Sequence, residues 1–339
     1  MSEKRNSNLL GKIAILVMVS FVVNTALALS GSGTEEDPWR IKSLDDFNDF
    51  SADANYWDDY TRLETDVNLA GRIYSTAVIA PDVNNSNRYF DGIAFTGTFD
   101  GSGFVISNLT INTAGVDNDF LALFGQIIGS KISNLGIETM NIVGINSTSN
   151  RDGYAEAALA AENNGGTISN CYSTGSVAGG INSIALGGLV GYNDGIISNC
   201  YSTCSVSGGS NSTALGGLVG INNNLIDKCY SIGPVSGETG SSNVRALIGD
   251  STYGTVSNCF WNKETSGRIS GGGGSGRTTA QMKRRSTFIG WDFINVWNIG
   301  RNQTYPYLRL YLPSDINKDG MVNFLDIAIT ANQWMEGVE

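Results

Sequence analysis

Oxygen-bearing side chains recur at fixed spacing in the twelve residues from Asp315 to Asp326. Asp or Asn stands at positions 1, 3, 5, 9 and 12 of this segment, and Gly320 stands at position 6. Calcium loops place oxygen ligands at these positions, a glycine at position 6 for the sharp turn, and a backbone carbonyl at position 7. The segment therefore predicts one bound Ca²⁺, held by Asp315, Asn317, Asp319, the Met321 carbonyl, Asp326, and Asn323 through water. The alternative is a surface turn rich in Asp and Asn.

A helix is expected directly after this loop, because apolar residues at 324, 327, 328, 331 and 334 follow helical spacing. Position 12 is Asp326, where the EF-hand pattern has Glu, and Val322 and Asn323 stand at positions 8 and 9. In these features residues 313–339 resemble a type I dockerin repeat. The resemblance implies calcium binding and a cohesin-like or cell-surface protein partner. Dockerins carry two such units, whereas these residues contain one.

Cysteine is the second residue type with fixed spacing. The intervals between Cys171, Cys200, Cys229 and Cys259 are 29, 29 and 30 residues, and those between Leu159, Leu189, Leu218 and Leu247 are 30, 29 and 29. This period indicates one structural unit that is copied along the chain. Cysteines stacked in register would have parallel side chains with Cβ atoms about 4.8 Å apart, against about 3.8 Å in a disulfide. We therefore favour buried thiols that act as small apolar residues; disulfides or a metal site are the alternatives.

The copied unit predicts an all-β fold. Short β-rich segments between residues 76 and 266 are separated by Gly, Asn and Ser, and no long 3.6-residue period is present. Alternation assigns an inward face to Cys171, Ser173, Gly175 and Val177, and an outward face to Tyr172, Thr174 and Ser176. Small residues in register are suited to corners where φ is positive or where backbone crowds backbone, namely Gly125, Ala161, Gly191, Gly220 and Gly249. We therefore predict a parallel β-solenoid with one repeat per coil.

Two segments of the repeat, Gly188–Gly191 and Gly217–Gly220, both read Gly-Leu-Val-Gly, and partial copies stand at 122–125 and 246–249. They resemble the GLUG motif. The resemblance implies a right-handed parallel β-helix of the kind found in large bacterial surface proteins, in adhesin-like chains and in some immunoglobulin-cleaving metallopeptidases. It implies an architecture and leaves the activity open.

Catalysis finds little support in the sequence. The chain contains no histidine, which excludes a Ser-His-Asp triad, a Cys-His dyad and HExxH zinc chemistry. Polysaccharide-cleaving β-helices need carboxylates on one face of adjacent coils, but Asp194 aligns with Asn164 and Asn223. We therefore predict a protein that is not an enzyme.

An outward column of rings, formed by Tyr172, Tyr201, Tyr230 and Phe260, allows two interpretations. The rings could stack to shield the strands, or they could form a flat track for polysaccharide. A second aromatic group, from Phe288 to Tyr311, is interpreted as a C-terminal cap in preference to a sugar-stacking platform.

The first 28 residues have the features of a secretory signal peptide: Lys4, Arg5 and Lys12, an apolar stretch over 13–23, and Ala-Leu-Ala at 26–28. The apolar stretch is shorter than the roughly 20 residues of a spanning helix. Removal of this leader would change the formal net charge from −11 to −13, because it carries three cations and one carboxylate. So acidic a chain is unsuited to nucleic acid. We expect a secreted, extracellular or cell-surface protein without a transmembrane anchor in the mature chain.

The predicted organisation is a signal peptide (1–28), an N-terminal cap (29–75), GLUG-type β-helix repeats (76–266), a glycine-rich loop with an aromatic C-terminal cap (267–312), and a dockerin-like calcium-binding unit of loop and helix (313–339). The predicted function is non-catalytic: cell-surface adhesion or extracellular matrix structure, tethered by the calcium-binding tail. The alternative is a carbohydrate-binding or polysaccharide-degrading β-helix protein of an extracellular assembly.

Overall fold

The structure is a computed structural model that describes residues 29–84, 87, 89–115, 118–144 and 155–309. The predicted leader and the predicted calcium loop with its helix lie outside these residues. Within the described ranges, no helix is both long enough and apolar enough to cross a membrane.

Short strands make up most of the regular structure. In chain order they are β1 (Trp39–Ile41), β2 (Tyr60–Leu63), β3 (Val67–Asn68), β4 (Thr98–Asp100), β5 (Val105–Ser107), β6 (Thr110–Asn112), β7 (Phe124–Ile128), β8 (Lys131–Ser133), β9 (Gly136–Val143), β10 (Glu156–Ala157), β11 (Ala160–Asn164), β12 (Thr167–Ser169), β13 (Tyr172–Ala178), β14 (Leu186–Gly187), β15 (Val190–Asn193), β16 (Ile196–Ser198), β17 (Tyr201–Ser202), β18 (Ser205–Gly208), β19 (Thr213–Gly216), β20 (Val219–Asn222), β21 (Leu225–Asp227), β22 (Tyr230–Ser231), β23 (Val235–Gly237), β24 (Ser242–Arg245), β25 (Ile248–Asp250), β26 (Thr255–Ser257), β27 (Phe260–Asn262), β28 (Ser275–Arg277), β29 (Trp297–Asn298) and β30 (Tyr307–Leu308). The helices are α1 (Leu44–Ala52) and α2 (Thr279–Met282), with 3₁₀ turns at Ala54–Tyr56 and Arg285–Thr287.

Four parallel sheets form the described stack. The eight-stranded sheet has the order β1-β2-β4-β8-β12-β16-β21-β26, the five-stranded sheet β25-β20-β15-β11-β7, and the four-stranded sheet β10-β14-β19-β24. The eleven-stranded sheet follows the path β28-β27-β22-β17-β13-β9-β5-β3, with β6, β18 and β23 beside it. One repeat, from β14 to β18, adds strands to all four sheets before the chain pairs with its next copy. This arrangement is consistent with a β-helix.

The interior is built from columns of like residues, as the spacing predicted. Leu159, Leu189, Leu218 and Leu247 are fully buried, and the N–H of each of the first three donates to the carbonyl of the next, at 2.9 Å. A polar column accompanies them, because the buried Asn163, Asn193 and Asn222 donate side-chain hydrogen bonds along the stack at 2.7 and 2.8 Å. Each of these side-chain N–H groups has its acceptor in the next coil, and the Asn163 oxygen at the start of the column is left without a hydrogen-bond partner among the described residues.

Glycine marks places where two coils approach closely. A Cβ atom at Gly191 would lie 2.6 Å from the Ala161 carbonyl oxygen, and one at Gly249 would lie 2.3 Å from the Ala214 carbonyl carbon. The crowding predicted for this column is therefore confirmed. The inward position predicted for Gly175 is wrong: the residue is exposed at φ +130°. A register shift between β13 and β9 falls there, because β9 holds one residue more between the paired positions, and alternation resumes at the buried Val177.

Asparagine occupies the corner between the eight-stranded and eleven-stranded sheets. Asn134, Asn170, Asn199 and Asn258 have φ values of 49° to 55°. Asparagine is among the few residues with a side chain that adopt this left-handed conformation readily. Lys228 holds the same corner in one coil, also at φ 52°. The Ile-Ser-Asn segment of the repeat thus marks the turn between these two sheets.

Both ends of the stack carry irregular segments. At the N-terminal end, the Ser43 hydroxyl accepts a hydrogen bond from the Asp46 N–H and caps the start of helix α1. At the other end, Gly271 accepts hydrogen bonds from the N–H groups of Leu247 and Ile248, and β28 continues the eleven-stranded sheet. Part of the glycine-rich segment thus forms a last, partial coil. A Cβ at Gly272 would lie 1.8 Å from the Ile248 carbonyl oxygen, so a residue with a side chain does not fit at this position.

The asparagine corner yields a stability prediction at Asn170. Asn170→Ala should lower the free energy of unfolding by about 1–2 kcal/mol, since alanine pays the left-handed backbone cost. Asn170→Gly loses the same side-chain hydrogen bond to Asn134 but not the conformational preference, so it should retain most of the stability. Urea unfolding of the two variants measures the difference. Equal destabilisation by Ala and Gly would assign the effect to the hydrogen bond alone.

Candidate functional site

The predicted calcium ligands, Asp315 to Asp326, lie outside the described residues, so their arrangement stays a prediction. In the part of the chain that the structure does describe, no group of three or more acidic or cysteine side chains is placed to hold a metal ion. Four other features carry chemically active groups: the cysteine column, the aromatic column, Glu156, and the pair Glu162 and Asp194.

The cysteine column is buried and hydrogen-bonded along the stack. All four cysteines are at most 2% exposed and all are free thiols. The N–H groups of Cys171, Cys200 and Cys229 donate to the sulfur of the next cysteine at 3.4, 3.3 and 3.4 Å. Burial raises the pKa of the Cys171 and Cys229 thiols, which keeps both protonated and unreactive. The interpretation as small buried residues agrees with this environment, and the sulfur atoms also serve as hydrogen-bond acceptors.

The aromatic column faces outward and stacks as predicted. The ring centroids of Tyr172 and Tyr201, and of Tyr201 and Tyr230, are 5.0 Å apart, with interplanar angles of 6° and 5°. Tyr230 is nevertheless only 1% exposed and Phe260 only 7%. A polysaccharide track along this column would therefore lack two of its four rings.

The C-terminal aromatic segment covers those rings. Trp291, Phe293 and Trp297 form one buried cluster with Tyr230 and Phe260 on the flank of the stack. The Tyr230 hydroxyl donates to the Pro306 carbonyl at 2.5 Å, and the Trp291 and Trp297 indoles donate to Asn258 and Asn199. The two groups of aromatic residues, which the sequence analysis treated separately, thus pack together and bury each other's rings. Nothing local in the sequence indicated which face of the coil the second group would cover.

Glu156 is a buried carboxyl in an apolar column. Its strand register continues through Leu186, Leu215 and Val244, and an isolated bridge pairs it with Leu121 on the other side. Burial raises the pKa of Glu156 to about 8; a hydrogen bond from Ser183 partly opposes this, and the charge of Asp119 adds to it. One of its oxygens has no hydrogen-bond partner. The carboxyl is therefore protonated at neutral pH. Glu156 is the only acid aligned with Leu and Val in this column. This departure becomes visible only once the strand register is known.

Glu162 and Asp194 are brought close together on the outer face of the five-stranded sheet. Burial raises the pKa of Glu162, the hydrogen bond from Gln126 lowers it, and the Asp194 charge raises it again. Glu162 is in register with Tyr192, whereas Asp194 aligns with Asn164, so in-register alignment alone did not reveal the pair. A carboxyl whose pKa is raised, within electrostatic range of a second carboxyl, is an arrangement that can supply a general acid.

Comparisons with known proteins agree with the repeat architecture. Residues 182–207 match the GLUG motif. Over 168 residues, 48% of this chain, the sequence is 33% identical to Halomucin of Haloquadratum walsbyi, of which the match spans 2%. Over 75 residues, 22% of this chain, it is 39% identical to a protein of Evansella cellulosilytica provisionally named a Gly-rich membrane protein, of which the match spans 9%. The chain thus matches only a small part of each relative.

A crystal structure from Bacteroides ovatus, provisionally described as an immunoglobulin A1 protease, has a similar fold. The TM-score is 0.51 at 18% identity, covering 83% of this chain and 95% of that one. At this identity the likeness concerns the fold alone.

The buried acid predicts a pH-dependent stability. The pKa of Glu156 is about 8 in the folded protein, against an ordinary value of 4.5. The folded state therefore binds the extra proton between these values, and the free energy of unfolding should fall by about 3–5 kcal/mol as pH rises from 4.5 to 8. Chemical denaturation across this range, compared with Glu156→Gln, measures the contribution.

The variants separate this group from the other acids of the chain. Glu156→Gln keeps the shape and cannot ionise, so its profile should lack this fall. Glu156→Leu restores the residue type of the column and should be the most stable of the three at pH 8. A wild-type profile that coincides with that of Glu156→Gln would show that Glu156 titrates normally.

Proposed function

We propose that this protein is a secreted, non-catalytic β-helix rod that serves adhesion or matrix structure at the cell surface. The observation that carries the proposal is the outer surface of the described coils, where small polar residues repeat in register. Ser169 and Ser198 align on the eight-stranded sheet, and Ser176 aligns with Ser205 on the eleven-stranded sheet. Such a surface suits a spacer or a binding scaffold, and it places no stacked catalytic groups on these two sheets.

The comparisons support a surface role. One relative is named a Gly-rich membrane protein and another Halomucin, and the GLUG match falls inside the repeat. We infer that the parallel sheets close into a right-handed solenoid, as the GLUG resemblance implies. The description of the Bacteroides ovatus structure as a protease does not extend to this chain, because at 18% identity the likeness concerns the fold alone.

A calcium-binding, dockerin-like tail completes the proposal. Residues 313–339 would tether the rod to a cohesin-like or cell-surface protein through the loop Asp315–Asp326. Polysaccharide is a further partner in the second candidate function, a carbohydrate-active β-helix of an extracellular assembly. The observation that favours this candidate is the juxtaposition of Glu162 with Asp194.

Export is the first test of the proposal. The full chain, produced in a bacterial host, should appear in the medium or on the cell surface with residues 1–28 removed, because these residues have the features of a signal peptide. Cell fractionation and N-terminal sequencing measure this, with a chain lacking residues 2–28 as the control. Retention of the intact full chain in the cytoplasm would contradict the proposal.

Calcium binding is the second test. The mature chain should take up one Ca²⁺, and Asp315→Ala/Asp319→Ala should abolish that uptake, because each change removes a carboxylate ligand. Calorimetry with the full mature chain measures the stoichiometry. EDTA should leave the melting of the solenoid unchanged. Equal uptake by the wild type and the double variant would defeat the assignment.

A further inference from the structure

A polar groove crosses the outer face of the eight-stranded sheet at its N-terminal end. It has a volume of about 290 Å³ and is lined by Tyr60, Arg62, Asp100, Lys131 and Asn134, among others. Two register columns supply these side chains: Tyr60 pairs with Thr98 and then Lys131, and Arg62 pairs with Asp100 and then Ser133. The groove therefore spans three adjacent coils, and Tyr60 and Lys131 lie roughly 10 Å apart.

The groove ends where the repeat becomes regular. The column that holds Tyr60 and Lys131 continues through Thr167, Ile196 and Leu225 to Thr255. In this column the aromatic and the charged side chain thus stand only in the first of the described coils, where the repeat copies are loosest. A surface that only covered the strands would not need an aromatic and a charged side chain at these positions.

The polar groups are held in fixed positions. Asp100 accepts hydrogen bonds from the Ser102 N–H and from the Asn134 amide, both at 2.9 Å. Arg62 donates to Glu64 at 2.9 Å. Lys131 is exposed and has no ion-pair partner among the described residues, and the Tyr60 ring is 39% exposed. The groove therefore offers a fixed acceptor, fixed donors and an accessible aromatic face.

We propose that this groove binds a short, uncharged, hydroxyl-rich saccharide. Sugar rings present an apolar face, which an exposed tyrosine can cover, and neighbouring hydroxyls that act as both donors and acceptors. The groove contains both kinds of partner, because Lys131 and Arg62 donate while Asp100 and Glu35 accept. Its opposite charges nearly balance, which favours an uncharged ligand over an acidic one. This site is separate from the aromatic column, whose rings are partly covered.

Binding of purified mature protein to a panel of neutral oligosaccharides, with uronate oligosaccharides alongside, tests the proposal. At least one neutral oligosaccharide should bind, with little dependence on salt concentration. Tyr60→Ala should weaken binding at least tenfold, and Tyr60→Phe should retain it, since the ring supplies the contact. Tyr253→Ala is the matched control, because Tyr253 is 83% exposed and does not line the groove.

Three results would overturn the assignment: no binding by correctly folded protein, equal binding by Tyr60→Ala and wild type, or binding of uronates alone that fades with salt. Circular dichroism of each variant verifies the fold. The assay uses purified protein, so its outcome is independent of export and of calcium uptake. The proposed structural role could therefore prove wrong while saccharide binding is confirmed, and saccharide binding could prove wrong while the structural role is confirmed.

Discussion

The in-register pairing of consecutive coils is the constraint on which the rest of the structure depends. Parallel backbone hydrogen bonds set each residue beside its copy in the next coil, about 4.8 Å away. Every position must therefore hold a residue that can pack against itself. Leucine does so in the core, Asn163 and Asn193 do so through their amides, and the cysteines do so through N–H to sulfur contacts. The same rule excludes a side chain at Gly191, where the neighbouring backbone already fills the space.

Because of this constraint, residues that depart from the repeat are informative. A charged or large side chain in a column costs stability unless its neighbours compensate, so a departure from the repeat indicates a local function or a local adjustment. Glu156 breaks a column of Leu and Val and remains neutral by keeping its proton. Tyr60 and Lys131 place an aromatic and a charged side chain in a column that otherwise holds Thr, Ile and Leu. The functional information of such a protein therefore lies in its least regular coils, whereas the regular coils specify the architecture.

The sequence predicted the features that follow from spacing alone. The buried leucine and cysteine columns and the crowded glycine column required only local pattern and period. The bulge at Gly175 was missed because alternation assumes that every strand keeps the same count, and β9 holds one residue more than β13 between the paired positions. Glu162 and Asp194 were missed because they meet across columns. The docking of Trp297 on the coil was not predictable, since a non-repeating segment carries no periodic signal for its partner surface.

The covered aromatic column also fixes the position of Arg309, the last described residue. Its N–H donates to the Val296 carbonyl and its side chain to the Trp297 carbonyl, within the cluster that packs on Tyr201 and Tyr230. Arg309 therefore lies on the flank of the stack, beside the eleven-stranded sheet, and not at the end of the last coil. The groove at Lys131 lies on the eight-stranded sheet, three coils before Leu225, or roughly 14 Å along the stack. Because the aromatic cluster and the groove occupy different sheets, the cluster covers its own column of rings and leaves the groove of the first coils open to solvent.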